Sequence, residues 1–166
     1  LLLLSIFTIT LINGLFLEKY YVSKKVEVLE EAKEVLSQMN LDDILQYDTD
    51  IEEDKKGATD EISDEIERSS SRNNLTWIIV NEENSGYYYW GENNMAKMLR
   101  SKLFGYINNL DQDMQHSRVL KKTDTCTMWQ VHDRFAGMEY VECWGQFDNG
   151  YYFLIRSPLE SIKESA

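Results

Sequence analysis

The stretch MEYVECWGQFDNGYYFLIR, residues 138–156, decides the fold of this chain. It contains two runs rich in aromatic and β-branched residues, 138–147 and 151–156, and such runs are typical of β-strands. The residues between them, Asp-Asn-Gly at 148–150, favour a tight turn because Asn and Gly accept the backbone angles of hairpin turns. The stretch therefore predicts an antiparallel β-hairpin.

Further strands and a helix precede this hairpin. Residues 75–80 and 87–90 predict a second hairpin, and residues 94–110 predict an amphipathic helix with apolar side chains along one side. Residues 118–132 predict one or two more strands, with the boundary between them left open. The predicted fold class is α+β, with a five- to six-stranded antiparallel sheet, a long N-terminal helix and flanking helices.

The first 17 residues, LLLLSIFTITLINGLFL, are uncharged and include twelve large apolar side chains. A membrane-spanning helix needs ~20 apolar residues, with about 17 as the lower limit. A secretory signal peptide is one alternative, but it ends in a small-residue cleavage site, whereas Glu18 and Lys19 follow directly here. A buried core helix is the other, but it would be expected to show a polar stripe, and these residues show no strong one. The sequence starts without Met, so we predict an uncleaved transmembrane helix over 1–17 that is truncated at its start.

Residues 18–40 predict a second helical segment close to the membrane, because they are rich in Glu, Lys, Val and Leu and lack Gly and Pro. Apolar residues at Val22, Leu29 and Leu36 recur at heptad spacing. Two interpretations are open: the stripe packs on the chain's own sheet, or it forms the seam of a parallel dimer. The two can hold on different faces of the helix.

The charge balance is acidic and uneven. The chain has 17 Lys and Arg against 29 Asp and Glu, a net charge of −12, and residues 18–68 alone hold 17 acidic against 7 basic residues. This balance argues against duplex nucleic-acid binding, which needs basic groups to neutralise phosphates. The two cysteines exclude a disulfide-dense scaffold and a four-cysteine zinc site. Nucleophile elbows, Walker loops and HExxH are absent from the sequence, so we predict no catalytic site, no metal and no cofactor for these residues.

The last part of the chain, IRSPLESI at residues 155–162, combines a capping Ser157, Pro158 at the first helical position and a Glu three residues after the cap. It predicts an exit helix over 157–166 that leads towards a second membrane span. With the apolar span, the charged helix and the two-strand, helix, three-strand unit, this ending resembles the extracytoplasmic sensor region of bacterial transmembrane sensor histidine kinases. The unit over 41–156 resembles the PAS-like sensor fold called PDC or single Cache.

The resemblance implies an extracytoplasmic domain at the bacterial cell membrane. It implies a homodimer that senses a small molecule or an envelope cue and transmits the signal through its membrane-proximal helices, with any kinase activity residing in other residues. Chemoreceptors and membrane-bound cyclases use similar sensors. A membrane-anchored interaction module without a small ligand is a further alternative, and a secreted hydrolase is the weakest one.

The candidate ligand site combines strand aromatics with a polar cluster at a predicted strand end. Aromatic walls with a few polar groups are typical of small-molecule pockets. Core packing and a solvated hairpin corner are the competing explanations. The candidate residues are Tyr87, Tyr89, Trp129, His132, Arg134, Tyr140 and Trp144.

The two cysteines are predicted to be neighbours. If His132 lies opposite Gly137 across a hairpin, the same register places Cys126 directly opposite Cys143. Facing cysteines in adjacent strands form a disulfide if the geometry permits. Two free thiols are the alternative.

Overall fold

The computed structural model describes residues 1–39, 61–81, 86–92 and 95–159. Most of the acidic segment, and residues 160–166 of the predicted exit helix, lie outside the described residues. The elements of the described part are α1 (Leu2–Ser37), α2 (Glu61–Asn73), β1 (Thr76–Val80), β2 (Tyr87–Trp90), α3 (Ala96–Ile107), the short 3-10 helix Gln112–His116, β3 (Ser117–Lys122), β4 (Cys126–Asp133), β5 (Met138–Gln146) and β6 (Tyr152–Pro158).

The six strands form one antiparallel sheet in the order β2-β1-β6-β5-β4-β3. The hairpin predicted over 138–156 is confirmed as β5 and β6, which pair from Tyr140 with Pro158 to Gln146 with Tyr152. Gly150 closes the turn between them with a φ of 90°, a value that favours glycine. The predicted α+β class is confirmed, and the architecture is consistent with a PAS-like or Cache fold.

α1 is one unbroken helix whose two halves have different surroundings. Its residues up to Tyr21 are exposed, and this helix is long and apolar enough to span a membrane. From Val22 onward one stripe of the helix is buried by the chain itself. The predicted boundary at residue 17 is therefore a change of surroundings within a single helix.

The buried stripe of α1 corrects the predicted dimer seam. Val22, Leu29 and Leu36 are all buried within the chain, and Leu29 and Leu36 pack in the core against the sheet. Burying a leucine side chain stabilises a fold by ~1.5–3 kcal/mol. The seam prediction is wrong for these residues because their side chains are already enclosed, and packing on the chain's own sheet is confirmed. The homodimer itself stays a prediction.

The sheet separates two apolar cores. One face packs against α1 and α2 through residues such as Trp77 and Ile155. The opposite face packs against α3, whose Leu99 and Leu103 contact the layer that contains Leu154. Because side chains alternate between the two faces along each strand, one face of the sheet is covered by α1 and α2 and the other by α3.

The C-terminal boundary differs from the sequence prediction. Ser157 and Pro158, predicted to cap and begin an exit helix, are the last two residues of β6. Ser157 pairs with Val141 across the sheet and its hydroxyl donates to the carbonyl of Asn73 at 3.0 Å. The strand pairing keeps the backbone extended through Pro158, so no helix begins at Ser157.

Candidate functional site

A cleft of about 660 Å³ opens on the α3 side of the sheet. It lies between α3, the 3-10 helix and the turn that joins β4 to β5. Two of its walls carry apolar side chains, and its floor is charged. The lining residues are Met98, Ser101, Lys102, Leu110, Asp111, Gln112, Asp113, Asp133, Arg134 and Phe135.

The outer part of the cleft floor is a set of ion pairs. Lys102 Nζ lies 2.7 Å from Asp113 Oδ2 and 3.6 Å from Asp133 Oδ2. Arg134 Nε donates to Asp113 Oδ1 at 2.9 Å, and an Nη of Arg134 donates to Gln112 Oε1 at 2.5 Å. Lys102, Asp113 and Asp133 are buried, whereas the side chain of Arg134 is 56% exposed. The 3-10 helix, α3 and β4 are therefore joined by charge.

The network continues inward to two charges that have almost no contact with solvent. Arg156 Nη1 donates to Asp133 Oδ2 at 2.6 Å and lies 3.7 Å from Glu142 Oε2. The Arg156 guanidinium also stacks over the Tyr140 ring, 3.9 Å from its centroid. Burying charges is costly unless they are paired and hydrogen-bonded, so this arrangement depends on every partner being present.

Glu142 accepts two hydrogen bonds on Oε1, the oxygen that is not paired with Arg156. The Tyr106 hydroxyl donates to Glu142 Oε1 at 2.6 Å, and Trp129 Nε1 donates to the same oxygen at 3.0 Å. The rings of Tyr106, Trp129 and Trp144 pack against one another with centroids 4.8 to 5.5 Å apart. The aromatic side chains are thus connected to the charged network by hydrogen bonds to Glu142.

The pairing decides the charge states of the network. For Lys102, burial lowers the pKa, but the hydrogen bond to Asp113 and the nearby carboxylates raise it above its ordinary value. Burial would raise the pKa of Asp113 and Asp133, but hydrogen bonds from Lys102 to Asp113 and from the backbone of the following turn to Asp133 hold both below the ordinary range. For Glu142 burial dominates and raises the pKa.

Three buried polar atoms beside the network lack a hydrogen-bond partner among the described residues. They are Glu142 Oε2, Arg156 Nε and Trp144 Nε1. Buried polar atoms of this kind cost free energy unless water, an ion or a ligand satisfies them. The interior end of the network therefore has unused capacity to bind a polar group.

The network is connected to α1 through β6. Ser157 follows Arg156 directly and points to the opposite sheet face, where Lys25 of α1 donates to its hydroxyl at 2.8 Å. Ser157 in turn donates to the Asn73 carbonyl at the end of α2. A shift of β6 at Arg156 would therefore act on the helix that leads into the apolar segment.

The structure brings most of the predicted site residues together. Five of the seven lie on the sheet face covered by α3, within or beside the core of that face: Tyr87, Tyr89, Trp129, Tyr140 and Trp144. Arg134 is on the cleft wall. His132 is separate: it follows Val131 of this core in an alternating strand, and its Nδ1 lies 3.1 Å from Glu139 Oε1.

The charged residues Lys102, Glu142 and Arg156 were missed in the sequence. Glu142 lies between Tyr140 and Trp144 on the inward side of a strand, and Arg156 follows Leu154 with the same spacing. An acidic and a basic side chain at inward positions of two adjacent strands predict a buried ion pair, because an isolated buried charge is too costly. This pattern was present in the sequence, because both charged residues fall at two-residue spacing from aromatic or apolar residues of their strands.

The cysteine register is corrected by two residues. Asp133 pairs with Met138, so Cys126 lies opposite Gly145 and Cys143 lies opposite Met128. The turn contains four residues, 134–137, whereas the predicted register placed a four-residue turn one position earlier, at 133–136. A shift of two keeps both side chains on the same face, and both remain in one core as free thiols. A disulfide stays a prediction.

The two thiols interact with each other and with a lysine. A hydrogen bond with Cys143 and the nearby Lys33 ammonium, 3.8 Å from Cys126 Sγ, lower the pKa of Cys126 to about 5. The same contact and burial raise the pKa of Cys143. The contact therefore favours the thiolate at Cys126 and the thiol at Cys143.

Within the described ranges, no cluster of three or more His, Cys, Asp or Glu side chains is placed to hold a metal ion. No protein-family model, curated protein or solved structure matches the chain.

Proposed function

We propose that this chain is the extracytoplasmic signal-sensing part of a membrane-bound bacterial sensor of the kind found in two-component sensor histidine kinases. α1 anchors it in the membrane, and the charged cleft binds a small polar ligand. One observation carries the proposal: the cleft floor is a buried charge network that ends at Arg156, and the next residue, Ser157, is hydrogen-bonded to Lys25 of α1.

The mechanism is a change in the pairing of the network. A ligand with charged or hydrogen-bonding groups would exchange contacts with Arg134 and Lys102 at the cleft surface. Since Lys102, Asp133 and Arg156 are contiguous, a change at the surface alters the position of β6. A ligand biases such an equilibrium only through its different affinity for the two arrangements. Ser157 and Lys25 then convey the shift to α1.

The cleft can be tested by thermal unfolding of the detergent-solubilised chain with a panel of small polar metabolites. A ligand at a hundred times its Kd stabilises the fold by ~2.7 kcal/mol, which is roughly 5–10 °C in Tm for a chain of this size. Ser101 is exposed on the cleft wall, so S101W should abolish the shift by filling the cleft.

K97W is the matched control, because Lys97 is exposed on the same helix and does not line the cleft. It should keep the full shift. A ligand that stabilises S101W as strongly as the unchanged chain would contradict the cleft as the binding site. A panel without any stabilising compound would favour the interaction module.

A further inference from the structure

The turn between β4 and β5 presents apolar side chains to solvent. Phe135 at this turn is 79% exposed and Met138 at the start of β5 is 42% exposed. Val119 on the neighbouring edge strand β3 is 54% exposed. Leu110 on the cleft wall is the remaining large apolar side chain that is exposed in the described residues after α1.

The charged groups at this turn are already paired. Asp133 accepts hydrogen bonds from the backbone amides of Phe135 and Ala136, both at 2.9 Å, besides its bond from Arg156. Arg134 is bound to Asp113. The tip can therefore approach an apolar environment without stripping water from an unpaired carboxylate.

Two contacts fix the position of α1 along the sheet. Lys25 Nζ donates to Ser157 Oγ, and Ser157 is the strand partner of Val141 in β5. Lys33 Nζ lies 3.8 Å from Cys126 Sγ. Both contacts are made by a lysine side chain, and the two side chains have the same length. The distance along α1 between the two lysines can therefore be compared with the distance along the sheet between their partners.

The two distances agree if α1 and β5 run side by side in the same direction. Cys126 pairs with Gly145, which is four residues beyond Val141 on β5. Four residues of strand cover ~13 Å, at about 3.4 Å per residue. The eight residues from Lys25 to Lys33 cover ~12 Å of helix.

The same scale places the turn at the end of the apolar segment. Met138 lies three strand residues, or ~10 Å, before Val141. Seven helix residues, also ~10 Å, separate Lys25 from Glu18, the first charged residue after the apolar segment. Met138 is thus level with Glu18, and Phe135 lies in the turn that projects beyond Met138.

Exposed aromatic residues mark this level as a membrane surface. Tyr20 and Tyr21 are exposed just after the apolar segment, where aromatic residues are enriched in membrane proteins.

We propose that the β4–β5 turn docks on the surface of the lipid bilayer that α1 crosses, with Phe135 inserted among the headgroups. The inference rests on the membrane anchoring in the proposed function. Docking gives the domain a second point of attachment besides α1. Because Arg134 and Phe135 also line the cleft, it places the cleft next to the bilayer.

The test is fluorescence quenching in nanodiscs of phosphatidylethanolamine and phosphatidylglycerol that contain nitroxide-labelled lipids. The full chain carries a fluorophore at one introduced cysteine: A136C at the turn, L11C in the apolar segment, or N149C at the opposite end of the sheet. The unchanged chain, whose two thiols are buried, is treated with the same label and serves as the blank.

The proposal expects quenching at A136C and L11C and none at N149C. Interfacial insertion reaches ~5–10 Å, so A136C should be quenched more by nitroxides near the headgroup than by those near the chain end. Adding F135D to A136C should remove most of the quenching. A136C behaving like N149C while L11C is quenched would overturn docking alone. An unquenched L11C would overturn the membrane anchoring as well.

Discussion

The substitution R156M tests whether the buried network depends on its central cation. Arg156 is 2% exposed, donates to Asp133 at 2.6 Å and lies 3.7 Å from Glu142. Removing one partner of a buried ion pair costs about 3–5 kcal/mol, because the remaining charge stays buried without compensation. We expect the free energy of unfolding to fall by that amount, which is roughly 10–20 °C in Tm.

A double-mutant cycle with E142Q separates charge from packing. Gln keeps an oxygen that accepts from Tyr106 and Trp129, but it removes the charge that Arg156 compensates. Residues within one network couple by ~0.5–3 kcal/mol, so R156M should cost less in the E142Q background than in the unchanged chain.

The assay is equilibrium urea unfolding of the detergent-solubilised chain, followed by tryptophan fluorescence. R118M is the matched control, because Arg118 is exposed and donates a hydrogen bond to Gln130 Oε1 at the sheet surface, outside the buried network. Its effect should stay within about 0.5 kcal/mol. The reasoning is refuted if R156M costs no more than R118M, or if the two network substitutions are additive.

The fold should lose stability at both ends of the pH range. Below about pH 3.8 the loss comes from protonation of Asp113 and Asp133, because their pKa values are lowered in the fold. Above about pH 10.5 it comes from deprotonation of Lys102, because its pKa is raised in the fold. Thermal unfolding across pH should show both losses, and K102M should flatten the alkaline one. The ultraviolet thiolate absorbance should titrate with a midpoint of about 5 and disappear in C126S; a midpoint at the ordinary thiol value would contradict the hydrogen bond with Cys143 and the Lys33 contact as causes of the lowered pKa. G145A should destabilise the fold by about 1–3 kcal/mol, because its Cβ would lie 2.0 Å from the Thr125 carbonyl oxygen, whereas the Cβ of G14A meets nothing within 4 Å and should not destabilise it.

The sequence allowed the sheet to be predicted because its strands alternate and its turns carry specific residues. The hairpin over 138–156 needed only the Asp-Asn-Gly turn and two apolar runs. The register of the preceding hairpin was harder. It depends on where the four-residue turn before Met138 begins, and moving that turn by one position shifts every strand pair by two residues.

The helix α1 shows where periodicity stops being informative. A stripe at heptad spacing fits either a partner helix or a sheet, since both present an apolar surface of similar width. Leu29 and Leu36 are assigned to the sheet only by tertiary packing. Likewise, Ser157 and Pro158 match a helix start locally, but pairing with Val141 and Tyr140 keeps them extended.

The aromatic residues of the core on the α3 side were recognised in the sequence and the charged residues beside them were missed, while ligand binding by these aromatics stays a prediction. Aromatic residues in strands signal an inward face directly, so Trp129 and Tyr140 were found. Lys102 and Asp113 come together only when α3 and the 3-10 helix fold over the sheet, and their 2.7 Å contact has no signature in the sequence.

Hydrogen exchange of the α1 amides around Lys25, measured on the chain in nanodiscs with and without a cleft ligand from the thermal screen, tests the central claim most directly. The account predicts that the ligand changes exchange at these amides, and that S157A binds the ligand but loses this change, since the Ser157 hydroxyl of β6 accepts a hydrogen bond from Lys25. Ligand binding that leaves the α1 amides unchanged in the native chain would contradict it.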